Sequence, residues 1–108
     1  MALQHAVSGE VVTLHRITDA DAKTVALMKT PSFETVQLVL REGEHIPGHA
    51  VAGSLSLYCI AGAAEIALDG GERRLDAGDW LYLEPQARHA VRALTDTSLL
   101  LTILFDHS

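Results

Sequence analysis

The chain has 108 residues with 14 Asp and Glu against 8 Lys and Arg, a net charge of -6. That balance lacks the basic face that neutralises phosphates, which argues against non-specific nucleic-acid binding. Hydrophobic residues at 48% and charged residues at 20% are ordinary globular proportions, and the length suits one domain, residues 1–108, with a single core. The longest apolar stretch, Leu99 to Phe105, is broken by Thr102 and far short of the ~20 residues of a spanning helix, so no membrane role is expected.

The first residues, Met1-Ala2-Leu3-Gln4-His5, lack the basic start and apolar run of a secretory signal. Cys59 is the one cysteine and has no partner for an internal disulfide, so a cytoplasmic, reducing location is the default expectation. Aromatic residues make up 5%, which leaves Val, Leu, Ile and Ala to build the core.

Strand patterns follow one another along the chain. Val11-Val12-Thr13-Leu14 is the first, ending at the polar break from Thr18 to Asp21. Thr24 to Met28 follows and stops at Thr30-Pro31-Ser32. A short helix over Asp19 to Lys29, capped by Thr18 or Asp19, competes with it, but the Thr-Val start and Pro31 favour a turn and then an edge strand. Thr35 to Leu40, rich in β-branched residues, ends at Gly43. Leu55 to Ile60 stops at Gly62. Ala63 to Leu68 and Glu72 to Leu75 flank Asp69-Gly70-Gly71 and read as a hairpin. Trp80 to Leu83 is closed by Pro85, and Ala90 to Leu94 and Ser98 to Phe105 finish the series, separated by Thr95-Asp96-Thr97. Many short strands with Gly and Asp between them predict an all-β sandwich or barrel. The final run does not alternate, so both of its faces should be covered, by the N-terminal strands or by a second subunit. The latter predicts a homodimer.

Two glycine-anchored segments stand out. The first, residues 43–62, holds Gly43, His49, Val51, Leu55 and Gly62; the second, residues 78–93, holds Gly78, Glu84, Gln86, His89 and Ala93. Gly43, Gly62 and Gly78 each end an apolar run where a turn of positive φ costs least at glycine. Ile46-Pro47 reads as extended chain, because the residue before proline is pushed towards β. Asp79 is placed to hydrogen-bond its own turn.

These segments resemble the two motifs of a small single-domain cupin of the RmlC-like, cupin 2 type. Gly43, His49, Gly62, Gly78 and His89 match the pattern in identity. The resemblance implies a double-stranded β-helix, or jelly-roll barrel. It also implies a ligand set of two His and one Glu from the first motif and one His from the second, for a divalent ion such as Zn, Fe, Mn or Ni. Carried over position by position, His49 and His89 remain, whereas Val51 and Leu55 stand where an imidazole and a carboxylate would be. Two imidazoles fall short of the three protein ligands usual for a tight site. Glu84, Gln37 and Glu65 are candidates for completing it, and His45 lies too far along an extended strand, ~13 Å, unless a turn intervenes.

Three functions follow. A pocket formed by His49, Val51, Leu55 and His89 would hold a small organic ligand without catalysis. A metal-dependent dioxygenase or isomerase would use His49 and His89 as partial ligands. A metal-free epimerase-like enzyme would take one of these histidines as base and Tyr58 or Tyr82 as acid. Outside the pattern, His5, His15 and His107 are expected at the surface. Cys59 is expected to be a buried, inert thiol, and Glu72-Arg73-Arg74 a solvated hairpin.

Overall fold

Alternating apolar residues produce nine strands and no helix over residues 6–105, the part of the chain that the computed structural model describes. They are β1 Val25–Lys29, β2 Phe33–Leu40, β3 His45–His49, β4 Leu55–Ala61, β5 Ala63–Leu68, β6 Gly71–Asp76, β7 Trp80–Leu83, β8 His89–Ala93 and β9 Thr97–Leu104. One sheet has the order β1-β2-β9-β4-β7 and the other β3-β8-β5-β6. All pairings are antiparallel. The expected all-β jelly roll is the fold observed.

Alternation decides what faces inward. On β4, Leu55, Leu57 and Cys59 are buried while Tyr58 between them is exposed. Leu38, Leu99, Leu83 and Leu75 meet them from strands β2, β9, β7 and β6, and Ala64, Ile66 and Val91 complete the cluster. No aromatic residue belongs to this buried cluster, so the core is aliphatic.

The turns follow the glycines. Gly43, Gly62 and Gly78 all take positive φ, at 85°, 84° and 94°. Gly62 has a second constraint, because a Cβ there would run into the carbonyl oxygen of Asp96 and lie 2.8 Å from Thr97 Oγ1. Asp79 accepts the Asp76 N–H at 2.8 Å through its carboxylate, closing the turn before β7. The β5–β6 hairpin pairs Leu68 with Gly71 across Asp69 and Gly70.

One strand expectation is corrected. Residues 11–14 form no strand, and Val11 and Val12 are exposed; β-branched composition yields a strand only where a neighbour supplies the ladder. Between Asp19 and Lys29 the favoured reading holds: a turn, kept by the Asp19 N–H to the Arg16 carbonyl at 3.0 Å and the Ala22 N–H to the Asp19 carbonyl at 3.1 Å, is followed by β1 and not by a helix. On strand β9, Leu99, Leu101 and Ile103 serve the core, while Leu104 on the other face is exposed. His5 and His107 lie outside the described residues. His15 is half-buried, with its backbone N–H and carbonyl bonded to the Gln37 side chain.

Candidate functional site

A slip in strand register places the two histidines together. Ile46 pairs with Val91, yet His49 pairs with His89, so Pro47 and Gly48 both oppose Ala90. In a regular ladder Gly48 would face His89, and His49 would point the other way. The bulge re-aims His49 by one position. Proline, with no N–H to lose, and glycine suit such a break in the ladder.

The imidazole centroids lie 4.4 Å apart with the rings tilted by 53°. His89 is buried and His49 exposed, so the pair runs from the barrel wall to its rim. Each Nδ1 sits 3.1 Å from the backbone carbonyl two residues earlier, Pro47 for His49 and Ala87 for His89. A carbonyl only accepts, so each Nδ1 carries a hydrogen, and in the neutral form of either ring the lone pair is on Nε2. Burial pushes the His89 pKa below the ordinary histidine value; its bond to Ala87 opposes the shift and the like charge of His49 adds to it.

Val51 is half-buried against the core, and its carbonyl accepts the Gln86 N–H at 2.9 Å, which ties the first motif to the second. Leu55 is buried in the core cluster, paired with Leu83 and Ile103. The aliphatic replacements are thus part of the packing of the hydrophobic core.

None of the residues considered as a further ligand joins the pair. Glu65 faces outward from β5 and binds Arg92 at 3.1 Å. Gln37 is fully buried but on the outer side of β2, donating to the His15 carbonyl and to Ser98 Oγ. His45 pairs with Arg92 on the outer face of β3, and Glu84 is exposed. Tyr58 and Tyr82, considered as acids, stand on the outer face of β4 and β7, away from the core side that His89 shares. Parity carries the signal for Glu65 and Gln37: each sits between two apolar residues that take the inward positions. Among the described residues, no group of three His, Cys, Asp or Glu is placed to hold a metal ion.

Sequence reasoning gave Gln86 no role beyond its place in the second motif and gave Arg88 none. Gln86 takes φ 68°, a left-handed conformation that costs a non-glycine residue about 1–2 kcal/mol. It lines an open cleft of about 600 Å³ at the barrel rim, with Asp69, Tyr82, Glu84 and Arg88. A smaller hollow of about 190 Å³ lies beside His89, Gly48 and Arg88.

Two facing antiparallel sheets, with a histidine pair where the two glycine-anchored motifs meet, define a jelly-roll barrel of the cupin class. The family model of the cupin domain matches residues 36–105, and the chain belongs to that family. It is 25% identical over 83 residues to an uncharacterized protein of Aquifex aeolicus (strain VF5), covering 77% of this chain and 68% of that one. A conserved protein of unknown function from Streptococcus pyogenes superimposes with a TM-score of 0.80 at 19% identity, over 100% of both chains. An RmlC-like cupin from Desulfovibrio desulfuricans gives a TM-score of 0.72 at 25% identity, covering 93% of this chain and 97% of that one. Among the described residues, no helix is long and apolar enough to cross a membrane.

Proposed function

We propose that this protein binds a small organic ligand at the His49–His89 end of its barrel, in a sensing or storage role without catalysis. The observation that carries this reading is the histidine pair, with both Nδ1 atoms engaged by backbone carbonyls and both Nε2 atoms free to accept. Ala67, Leu68 and Ala90 give the hollow beside His89 its apolar wall. A few placed polar groups on an apolar wall suit a compact ligand with one hydroxyl or amine on a hydrophobic body.

A second reading, a metal-dependent enzyme, draws on the same two Nε2 atoms, since an imidazole fixed through Nδ1 is the usual form of a histidine ligand. The described residues fit it incompletely, because the donor set stops at two.

Two measurements test the choice. Protein purified without chelator is assayed for metal alongside the His49→Ala/His89→Ala variant. The imidazole ¹⁵N resonances are then followed while simple phenols and aliphatic alcohols are titrated in. The proposal expects substoichiometric metal and saturable shifts at the Nε2 of His49 and His89. One metal per chain that is lost in the variant overturns it in favour of the second reading. Absence of any shift at millimolar probe overturns it as well.

A further inference from the structure

The turn between β7 and β8 carries a residue type that its backbone does not favour. The Ala87 N–H bonds to the Glu84 carbonyl at 3.2 Å, which leaves Pro85 and Gln86 at the centre of the turn. Gln86, at φ 68°, is the one non-glycine residue at positive φ among the described residues. Proline is usual at the second position of such a turn, and glycine or asparagine at the third. The Gln86 N–H bond to the Val51 carbonyl at 2.9 Å holds the conformation. Strain of this kind persists where the surroundings fix it, and it gathers at ligand sites.

Gln86 lines the open cleft of about 600 Å³ between this turn, the end of β7 and the β5–β6 turn. His49, Val51, Leu55 and His89 do not line it, so the cleft is separate from the histidine pair. Its polar side chains are Asp69, Tyr82, Glu84, Gln86 and Arg88. Among the described residues, none of these five side chains has a hydrogen-bond or ion-pair partner. Elsewhere on the same sheet the arginines are engaged, Arg92 with Glu65 and Arg74 with Asp76. A Cβ at Gly48 would stand 3.4 Å from Arg88 Nε, so the guanidinium lies along the bare backbone of the β3 bulge.

Two carboxylates and one guanidinium thus share a cleft without neutralising one another. A ligand bearing only an amine would leave Arg88 opposed, and one bearing only a carboxylate would face Asp69 and Glu84. A ligand with both groups satisfies all three. Arg88 matches a carboxylate through two parallel N–H donors, and the Gln86 amide adds donors of its own. Leu68, Leu83 and Pro85 suit an apolar body. We propose that this cleft is a second binding site, for a zwitterion with ammonium and carboxylate on an apolar body, as in leucine or a short apolar peptide. Gln86 is a specificity-determining residue of that site, which accounts for a side chain at a position that glycine would occupy without strain.

Leucine titrated into ¹⁵N-labelled protein should give saturable amide shifts at Asp69, Glu84, Gln86 and Arg88 in the millimolar range. N-acetyl-leucine and leucinamide each lack one charge and should bind roughly tenfold more weakly or not at all. Leucyl-leucine separates the two sources: tighter binding than leucine assigns the site to peptides, weaker binding to the free amino acid. Arg88 is exposed and bonds to nothing in the fold, so Arg88→Gln should stay folded and weaken leucine about tenfold. Gln86→Gly suits the turn and should weaken leucine about fivefold with no loss in the urea midpoint. Absence of saturable shifts with both leucine and leucyl-leucine, equal affinity for either singly charged analogue, or unchanged affinity in either variant overturns the proposal.

Discussion

Gly43 and Gly62 allow a backbone penalty to be separated from a packing penalty. Their φ angles are nearly equal, 85° and 84°. A Cβ at Gly43 meets nothing within 4 Å, whereas at Gly62 it would press on the Asp96 carbonyl and lie 2.9 Å from Thr97 Cα. Alanine in the left-handed region costs about 1–2 kcal/mol, and its reduced freedom in the unfolded chain returns roughly 0.4–1 kcal/mol. Gly43→Ala should therefore lose about 1 kcal/mol. Gly62→Ala carries the same cost plus about 1–3 kcal/mol of overpacking. Thr97 cannot move aside cheaply, since its hydroxyl donates to the Ala63 carbonyl at 2.8 Å. The expected total is about 3 kcal/mol. Urea denaturation of both variants, with slopes of about 1–3 kcal/mol per molar, resolves a difference of this size. Equal losses in the two variants would refute the packing argument, and a neutral Gly43→Ala would refute the conformational one.

Other outcomes can be stated briefly. Burial depresses the His89 pKa, so below the unfolded value near 6.5 the unfolded chain binds a proton that the folded chain resists. Stability is then complete above that pH and falls as pH drops towards the folded pKa. Urea midpoints from pH 8 to 5 should slope more steeply in the unmodified protein than in His89→Gln, and an NMR titration placing His89 above 6.5 would contradict the sign. Gln37→Leu removes partners from the His15 N–H, the His15 carbonyl and Ser98 Oγ. A buried group left unpaired costs about 1–3 kcal/mol and the two half-buried His15 groups less than that each, so a loss of about 2–4 kcal/mol is expected, with faster hydrogen exchange at the His15 amide. An unchanged exchange rate there would mean that Gln37 does not hold the N-terminal segment.

Much of the fold was legible because inward and outward positions alternate. Leu55, Leu57 and Cys59 against Ser56 and Tyr58 is a two-residue period, and the three motif glycines mark turns that a side chain would strain. The Val11–Leu14 segment misled because its composition states a preference and not a partner. At the site, residue types foretold the loss of two ligands at Val51 and Leu55, but not the bulge at Pro47 and Gly48 that brings His49 opposite His89. That bulge depends on how β3 sits against β8, a relation between distant segments that local periodicity does not contain. The hope for a ligand from Glu65 or Gln37 failed on parity, which was readable from their apolar neighbours.

Cys59 gives the protein a clock of its own. The thiol is fully buried on the core side of β4, its pKa raised chiefly by burial, and its hydrogen directed to the Ala61 carbonyl at 3.5 Å. A reagent that needs the thiolate reaches it only when β4 parts from its neighbours. As the sequence has no second cysteine, each labelled molecule records one opening of the barrel. The rate of modification, measured without any engineered probe, thus converts into the free energy that keeps the two sheets closed.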